Sequence, residues 1–305
     1  MLCTDPVTAP AALLDRARGL PPARALIVGA DHAVALESAR LATDAGLIEP
    51  VLIGGAVRMA ELAEKAEWDI SAFSQIDAMG DAGLAEAAAL AAPDPAVKLV
   101  MKGQIHTDAL MAALLRRDAG IRIGQRLSHV FHMSVGDSAP LLISDGALNV
   151  APDDKTLQAI AGNLVALSHR IGLERPRIAC LSASEEVLEQ MPSTHTAKEL
   201  ADWANAQGWA AAFHGPLAFD NAVSPEAAAL KQLAGPVPGQ ADALLVPGIE
   251  IGNALFKMMV YFMGACAAGV VMGGRIPIVI TSRADPPAAR LASAALAALV
   301  AEPQT

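Results

Sequence analysis

The chain has 305 residues, of which 53% are hydrophobic and 18% are charged. This length and apolar content suffice for one large globular domain or two interlocked ones, and they leave little room for disorder. The 22 Lys and Arg residues are outnumbered by 32 Asp and Glu residues, giving a formal net charge of −10, and aromatic residues make up only 3%. Because nucleic-acid-binding proteins usually carry a basic face or stack bases on aromatic rings, this composition argues against a nucleic-acid partner.

Short apolar runs alternate with longer Ala-rich segments, which predicts strand–helix units around a mainly parallel sheet and therefore an α/β fold. The predicted strands, in chain order, lie at residues 25–29, 50–54, 97–101, 140–144, 177–181, 209–213, 243–246 and 276–281. The predicted helices lie at 32–45, 106–117, 154–171, 196–207, 225–233, 250–268 and 287–301. No internal repeat or low-complexity linker divides the chain, so two domains would have to exchange segments.

Polar and small residues cluster directly after the predicted strands. They include Lys102, Gly103, Ser144, Asp145, Ser182, His214, Gly215, Ser282, Arg283 and Asp285. In an open α/β sheet these loops line the ligand crevice, and helix N-termini there present N–H groups to anions. We therefore predict one polar cleft. The competing interpretation is that such residues serve only as turn and helix-capping residues.

Two of these loops contain charged and hydroxyl side chains that could bind a substrate, so we compare both interpretations for each of them. Lys102 stands beside Gly103 at a strand end, where an ammonium and free backbone donors would suit a phosphate, but Thr107 or Asp108 could simply cap the next helix. The run 280–287 places a hydroxyl, a guanidinium and a carboxylate within four residues. Such a group can hold an oxyanion and accept a proton, whereas an Asp before prolines is also an ordinary helix cap.

Several other functions lack their motifs. There is no P-loop, no His-Glu-x-x-His, no Gly-x-Ser-x-Gly and no complete Gly-x-Gly-x-x-Gly, so neither a nucleotide fold of those kinds nor a zinc protease is indicated. His129 and His132 are three residues apart but lack further ligands, so we predict no metal site. The three cysteines, Cys3, Cys180 and Cys266, have no metal-type spacing and are interpreted as reduced, mostly buried thiols.

The N-terminal region has no basic segment followed by a long apolar stretch, so we expect no secretory signal and a cytoplasmic location. The longest uncharged run, 258–274, is slightly short for a membrane span and contains glycines. We interpret it as a buried helix and turn, and we predict no association with a membrane.

Taken together, the strand-end motifs resemble the phosphate acetyl/butyryltransferase family over nearly the whole chain. The matching stretches are residues 46–50, 101–108, 126–131, Asn149 with Pro152 and Lys155, 193–194, 215–221 with Ser224, 252–253 with Lys257, and 281–285. The pattern is most similar to the butyryl-type enzymes and to certain acetyl-type domains.

The resemblance implies a fold similar to isopropylmalate dehydrogenase, with two α/β domains of mainly parallel sheets, an active-site cleft between them and, usually, a homodimer. The family's last strand and helix return to the first domain. We accordingly expect the first domain at residues 1–131 plus 272–305 and the second at 132–271. The implied activity converts acyl-CoA and phosphate into acyl phosphate and coenzyme A, with an acetyl or butyryl group. Coenzyme A is a substrate here, and the family resemblance implies no further cofactor.

Residue roles follow from the same resemblance. Asp285 would take the proton of the coenzyme A thiol, Arg283 would hold the phosphate, and Ser282 would hydrogen-bond the developing oxyanion. The implied substrate-binding residues are Lys102, Thr107, Ser144, Asp145, Asn149, Gly215, Asn221, Asn253 and Lys257. Because neither Cys180 nor Cys266 stands in an exposed setting, we expect direct transfer in a ternary complex instead of an acyl-cysteine intermediate.

Two alternatives stay open. A degenerate family member could bind coenzyme A or acyl phosphate without turnover, since Gly248 replaces an expected aspartate and Met111 replaces an arginine common in acetyl-type relatives. A metal- and NAD-dependent dehydrogenase of similar fold would need a carboxylate cluster that the sequence does not offer. The acetyl-type branch can also place its aspartate further along, where this chain has Ala288 and Ala289.

Overall fold

The computed structural model describes residues 2–136, 138–282 and 284–302. Its strands are β1 Ala23–Val28, β2 Ile48–Gly54, β3 Ser74–Asp77, β4 Leu99–Lys102, β5 Ser128–Ser134, β6 Leu141–Ser144, β7 Arg177–Leu181, β8 Ala212–Leu217, β9 Ala243–Leu245, β10 Cys266–Met272 and β11 Ile278–Val279. Its helices are α1 Ala11–Arg18, α2 Ala33–Asp44, α3 Ala56–Lys65, α4 Gly80–Ala91, α5 Thr107–Leu114, α6 Asp154–Arg170, α7 Pro192–Asn205, α8 Phe219–Val223, α9 Pro225–Leu230, α10 Ile249–Met263 and α11 Pro287–Ala301. The predicted α/β class with mainly parallel strands is confirmed.

The chain folds into two compact units that exchange segments. The first unit comprises Val7–Gln125 and Ala268–Thr305, and the second comprises Met1–Pro6 and Arg126–Ala267. The chain therefore leaves the first unit after β4 and α5 and returns to it for most of β10, for β11 and for α11.

In the first unit the strand order is β3-β2-β1-β4-β11-β10, and all neighbours are parallel except β10 against β11. The inner strands are mostly apolar, as expected for parallel strands covered on both faces, and Leu26 and Leu99 are fully buried. Helix α11 is largely alanine and leucine, and ten of its residues are buried. Because β1, β4 and β11 are parallel neighbours, their carboxyl ends lie side by side at one edge of the sheet.

In the second unit the order is β5-β6-β9-β7-β8, with only β5 antiparallel to its neighbour β6. Ile143, Ala179 and Leu244 on its central strands are fully buried in one apolar cluster. The carboxyl end of β6 carries Ser144 and leads into the loop at residues 145–149.

Three strands and four helices were not predicted: β3, β5, β10, α1, α3, α4 and α8. The β3 sequence Ser-Gln-Ile-Asp carries one apolar residue because it is an edge strand and mostly exposed. The helix predicted at 250–268 is wrong beyond Met263, because Gly264 adopts the left-handed conformation at φ 65° and the chain then enters β10. The strand predicted at 209–213 begins later, at Ala212.

The prediction that the run 258–274 is a buried helix and turn is also wrong. Its first part is the end of α10, where Met258, Tyr261 and Phe262 are 53–57% exposed, and its second part is a buried strand. Ile251 at the start of the same helix is exposed as well. Within the described ranges, no helix has the length and apolar character needed to cross a membrane.

Candidate active site

Two glycines bring the loops after β1 and β4 into direct contact. Gly29 has φ 83°, and a Cβ there would lie 2.7 Å from the backbone of Gln104. A Cβ on Gly103 would lie 2.7 Å from the Ala35 side chain and 2.8 Å from the Gly29 oxygen. No larger residue fits at either position without backbone movement. The contact places Lys102, at the end of β4, beside the first turns of α2.

A cavity of about 270 Å³ opens at this edge of the first unit, and we call it the strand-end pocket. Its lining residues are Ile27, His32, Val34, Ala35, Ser38, Met101, Lys102, Gly103, Gln104, Thr281, Ser282 and Arg290. The lining includes apolar side chains as well as cationic and hydroxyl groups. The pocket therefore combines a place for an anion with a place for a short hydrocarbon group.

The two predicted strand-end motifs of the first unit meet in this pocket. Lys102 is half-buried, and its Nζ lies 3.4 Å from the Gly103 oxygen. The Thr281 hydroxyl donates to the Lys102 carbonyl at 3.4 Å, which links the ends of β4 and β11. Ser282 follows directly and lines the same pocket. Thr107 is the first residue of α5 and does not line it.

The capping interpretations of both motifs are wrong. His106 is the N-cap of α5 and makes no side-chain cap, so neither Thr107 nor Asp108 caps that helix. Pro286, and not Asp285, is the N-cap of α11. A local capping role therefore does not account for the carboxylate of Asp285.

Asp285 instead closes a tight turn with Ser282. The Ser282 N–H donates to Asp285 Oδ2 at 2.7 Å, and the Asp285 N–H donates to the Ser282 carbonyl at 3.2 Å. The Ala284 N–H donates to the Ser282 hydroxyl at 3.3 Å. These bonds hold the carboxylate and the hydroxyl in one small loop. Arg283, to which the family resemblance assigns the phosphate, lies outside the described residues.

The surroundings of Asp285 adjust its proton affinity in two opposing ways. Partial burial raises the pKa of Asp285 above its ordinary value, while the Ser282 N–H and the nearby positive charges of Arg290 and Lys102 lower it. Burial has the larger effect, so the net pKa is raised. A carboxylate with a raised pKa is a better proton acceptor than an ordinary aspartate.

Arg290 is a residue of this site that the sequence did not identify. It lies on α11 with its side chain only 8% exposed, and its Nη1 donates to the Asp285 carbonyl at 2.5 Å. Its Nη2 lies 3.3 Å from Glu37 Oε2, and its buried Nε has no hydrogen-bond partner among the described residues. A single charge on an otherwise apolar helix was the available signal.

In the second unit, the residues predicted after β6 form a buried network. The Ser144–Asp145 peptide is cis, and the Asp145 carboxylate accepts five N–H donors at 2.6–3.3 Å: four backbone amides, one of them from His129, and the Asn149 side chain. The Ser144 hydroxyl donates to the His129 carbonyl at 2.9 Å. Asp145 is thereby the organising centre of the loop that follows β6.

Asn149 and Asn253 belong to the same network. Asn149 donates to the Leu127 carbonyl at 2.9 Å and accepts from Arg126 Nε at 2.9 Å. Asn253 on α10 donates to the Gly146 carbonyl at 3.3 Å. These contacts tie the start of α10 to the loop after β6, so four of the predicted residues of this unit, Ser144, Asp145, Asn149 and Asn253, come together.

The other three predicted residues of the second unit have separate surroundings. Gly215 packs where a Cβ would lie 2.6 Å from the Ala197 oxygen, so close packing alone requires glycine there. Asn221 is buried and donates to Glu185 at 3.1 Å, while its Oδ1 has no hydrogen-bond partner among the described residues. Lys257 is exposed, with Nζ 5.9 Å from the ring centre of Phe256.

Burial also shifts the pKa values of two histidines and one cysteine of the second unit. It lowers the pKa of His129 to about 4 against an opposing effect of Asp145, and it lowers that of His132 to about 4. It raises the pKa of the Cys180 thiol to about 12, which keeps this sulfur protonated and unreactive. Across the residues described, no group of three or more His, Cys, Asp or Glu side chains is arranged to hold a metal ion.

Comparison with known proteins places the chain in a family. The sequence model described as "Phosphate acetyl/butaryl transferase" matches residues 84–298. A phosphate acetyltransferase of Rhizobium meliloti is 39% identical over 95% of this chain and 92% of its own length. A phosphate butyryltransferase of Clostridium beijerinckii is 32% identical over 95% and 96%. The crystal structure of a branched-chain phosphotransacylase from Enterococcus faecalis matches with a TM-score of 0.81 and 28% identity, over 92% of this chain and 99% of that one. The chain belongs to the phosphate acetyl/butyryltransferase family.

Proposed function

We propose that this protein is a phosphate acyltransferase that converts acyl-CoA and inorganic phosphate into acyl phosphate and coenzyme A, and the reverse. The observation that carries the proposal is the strand-end pocket, where Lys102 and Ser282 face an apolar wall and the half-buried Asp285 closes the adjoining turn. The relatives named above, two of them called phosphate acetyltransferase and phosphate butyryltransferase, support the same activity.

In the proposed reaction, the carboxylate of Asp285 removes the proton from the coenzyme A thiol. A thiol with a pKa near ~8.5 is mostly protonated at neutral pH, so a positioned base increases the fraction of thiolate. The thiolate sulfur attacks the carbonyl carbon of the acyl phosphate, and the carbon–oxygen bond to phosphate breaks with its electron pair leaving on phosphate. Ser282 would donate to the oxyanion that forms in between.

The phosphate and the acyl chain would occupy different parts of the pocket. Lys102 supplies a cation for the phosphate, and Arg283 is assigned to the same anion by the family resemblance. The buried side chains of Ile27 and Met101, with Val34 and Ala35 on α2, form an apolar wall for the acyl chain. This arrangement separates recognition of the anion from recognition of chain length.

The predicted residues of the second unit would act mainly by shaping the loop after β6. The polar groups of Ser144, Asp145 and Asn149 form hydrogen bonds within the protein. We therefore propose that these residues maintain the conformation of that loop and do not contact coenzyme A directly. The isopropylmalate dehydrogenase-like arrangement of two domains and a cleft is part of this proposal and is supported by the family resemblance.

A homodimer is also proposed, and helix α10 supports it. Ile251, Met258, Tyr261 and Phe262 leave this one helix with a large exposed apolar surface, of the kind that marks protein interfaces. Sedimentation of the wild type should give the mass of two chains, and Phe262→Glu should give one. Leu230→Glu is the matched control, because Leu230 is 84% exposed on another helix of the same unit. A monomeric wild type contradicts this part of the proposal.

We propose that no metal or nicotinamide takes part and that coenzyme A is used only as a substrate. The dehydrogenase alternative predicts the opposite: chelation would abolish activity and a divalent ion would restore it. Turnover should survive exhaustive treatment with EDTA and proceed without NAD. If EDTA treatment abolished turnover and added magnesium restored it, this proposal would be contradicted.

The experiment for the activity itself measures free thiol released from acetyl-, propionyl- and butyryl-CoA when inorganic phosphate is added. Phosphate-dependent thiol release by the wild type, strongly reduced in Ser282→Ala, is the expected result. Calorimetry on the same samples tests the degenerate alternative. Coenzyme A binding without any thiol release would support that alternative and contradict the proposed catalysis.

A further inference from the structure

Arg290 is placed where stability alone does not explain it. Its side chain is only 8% exposed, and it is the one charged residue on α11, whose other residues are mostly small and apolar. Removing a guanidinium from water is unfavourable unless its donors are well satisfied, and its Nε is not satisfied by any described residue. An apolar residue of similar volume would pack there at least as well. The positive charge of Arg290 therefore indicates a functional role in the strand-end pocket.

The contacts of Arg290 join two elements that form the strand-end pocket. One end of the guanidinium holds the Asp285 carbonyl, and the other faces Glu37 on α2. The Asp285 carboxylate is in turn fixed by the Ser282 N–H. Asp285 is thus restrained at three points: Arg290 holds its carbonyl, while Ser282 holds its carboxylate and its backbone N–H. Loss of Arg290 would release only the restraint on the carbonyl.

Arg290 also sets the charge around Asp285. The described charged groups facing this carboxylate are Arg290 on α11 and Lys102 at the end of β4, with Glu37 behind Arg290 and His32 on the pocket wall. Partial burial favours the protonated acid, and the two cations oppose it. Glu37 partly neutralises Arg290 and so moderates its effect. Without Arg290, Asp285 would keep its proton to a higher pH.

We propose that Arg290 is a positioning residue for acyl transfer, which fixes the backbone of Asp285, supplies the buried positive charge that faces its carboxylate, and is itself held by Glu37. The inference rests on the proposed function, because it assigns Asp285 the role of base. Arg290 does not need to touch the substrate for this role. Its effect should therefore be seen in the turnover number and its pH dependence more than in Michaelis constants.

The test is the pH profile of kcat for wild type, Arg290→Met and Arg290→Lys. A base must be ionised to act, so activity rises with pH through the pKa of Asp285. Arg290→Met should move this acidic limb upward by about one pH unit and lower the plateau. Arg290→Lys keeps the positive charge but cannot contact both the Asp285 carbonyl and Glu37. The acidic limb of its kcat profile should therefore stay near the wild-type position, while the maximal kcat falls. Arg40→Met is the matched control.

Arg40 suits this purpose because it resembles Arg290 without lining the pocket. Its Nη1 donates to the Ala66 carbonyl at 2.7 Å, and its buried Nε has no partner among the described residues. Its replacement should lower stability and leave the pH limb in place. Glu37→Gln removes the countercharge and should move the limb slightly to lower pH. This second variant keeps the inference testable if Arg290→Met does not fold.

A carboxyl-carbon NMR titration separates this inference from the proposed function. The Asp285 signal, assigned by its loss in Asp285→Asn, should titrate at higher pH in Arg290→Met than in wild type. An inactive wild type would overturn the acyltransferase proposal, yet this titration would still measure the coupling. Equal Asp285 titrations in wild type and Arg290→Met, with unmoved kcat limbs, would overturn the role of Arg290.

Discussion

Replacing Asp285 by Asn tests the proposed base with little disturbance of the fold. The Asn side-chain oxygen can still accept the Ser282 N–H that Asp285 accepts at 2.7 Å, so the turn should persist. Asn cannot accept the thiol proton, and a positioned general base contributes ~10²–10⁴-fold to a rate. We therefore expect turnover to fall about 100-fold or more, with coenzyme A affinity retained.

The stability of the same variant should change in the opposite direction. The folded-state pKa of Asp285 is raised, mainly by burial, so the folded chain binds its proton more tightly than the unfolded chain does. Stability from this group is present at low pH and is lost as pH rises through the folded pKa. Above the folded-state pKa the ionised carboxylate therefore destabilises the fold, and Asp285→Asn should melt there at the same or a higher temperature than wild type.

The assay for this prediction is loss of free thiol from coenzyme A and acyl phosphate, run beside thermal unfolding at pH 7. Asp285→Ala is the control, since it removes the acceptor for Ser282 as well as the base and should be both inactive and less stable. Near-normal turnover in Asp285→Asn would show that another group accepts the proton. A large fall in its melting temperature would show that the carboxylate is mainly structural.

Three further predictions concern other parts of the chain. Lys102→Ala should raise the KM for phosphate more than it lowers kcat, whereas Lys98→Ala, at an exposed lysine before the same strand, should change neither. Gly103→Ala should destabilise the fold by about 1–3 kcal/mol in urea unfolding because its Cβ would strike backbone, while Gly83→Ala, in open helix, should stabilise it by about 0.5–1 kcal/mol. Burial keeps His132 neutral in the folded state, so the free energy of unfolding should fall as pH drops from 6.5 towards 4, by about 2 kcal/mol at pH 5. In His132→Phe the free energy of unfolding should fall less over the same pH range. An equal response of either matched pair, or a pH-independent urea midpoint, would contradict the corresponding prediction.

The sequence predicted the buried parallel strands well because those strands are apolar over most of their length. The run at 177–181 coincides with β7, and the apolar run at 25–29 overlaps β1. It did not predict β10, whose Cys-Ala-Ala-Gly-Val-Val-Met sequence continues the apolar character of α10. The boundary depends on the left-handed Gly264, and composition alone cannot distinguish that glycine from one inside a helix.

The site was predictable only in part for a related reason. Lys102 and Ser282 follow strands and could be found by position, because parallel strands bring their carboxyl ends to one edge. Arg290 lies on a helix, and its contact with Asp285 depends on how α11 packs against the sheet. Asp145 was predicted to bind substrate, but the five N–H groups around its carboxylate arise from loop folding that spacing does not reveal.

The most direct test of the central claim is coenzyme A-dependent release of phosphate from acetyl, propionyl and butyryl phosphate by the wild-type protein, with acyl-CoA measured in the same samples. The account predicts one acyl-CoA formed for each phosphate released, with no release when coenzyme A is omitted. Absence of release with every acyl phosphate, or release without acyl-CoA formation, would contradict the claim that this protein transfers acyl groups between phosphate and coenzyme A.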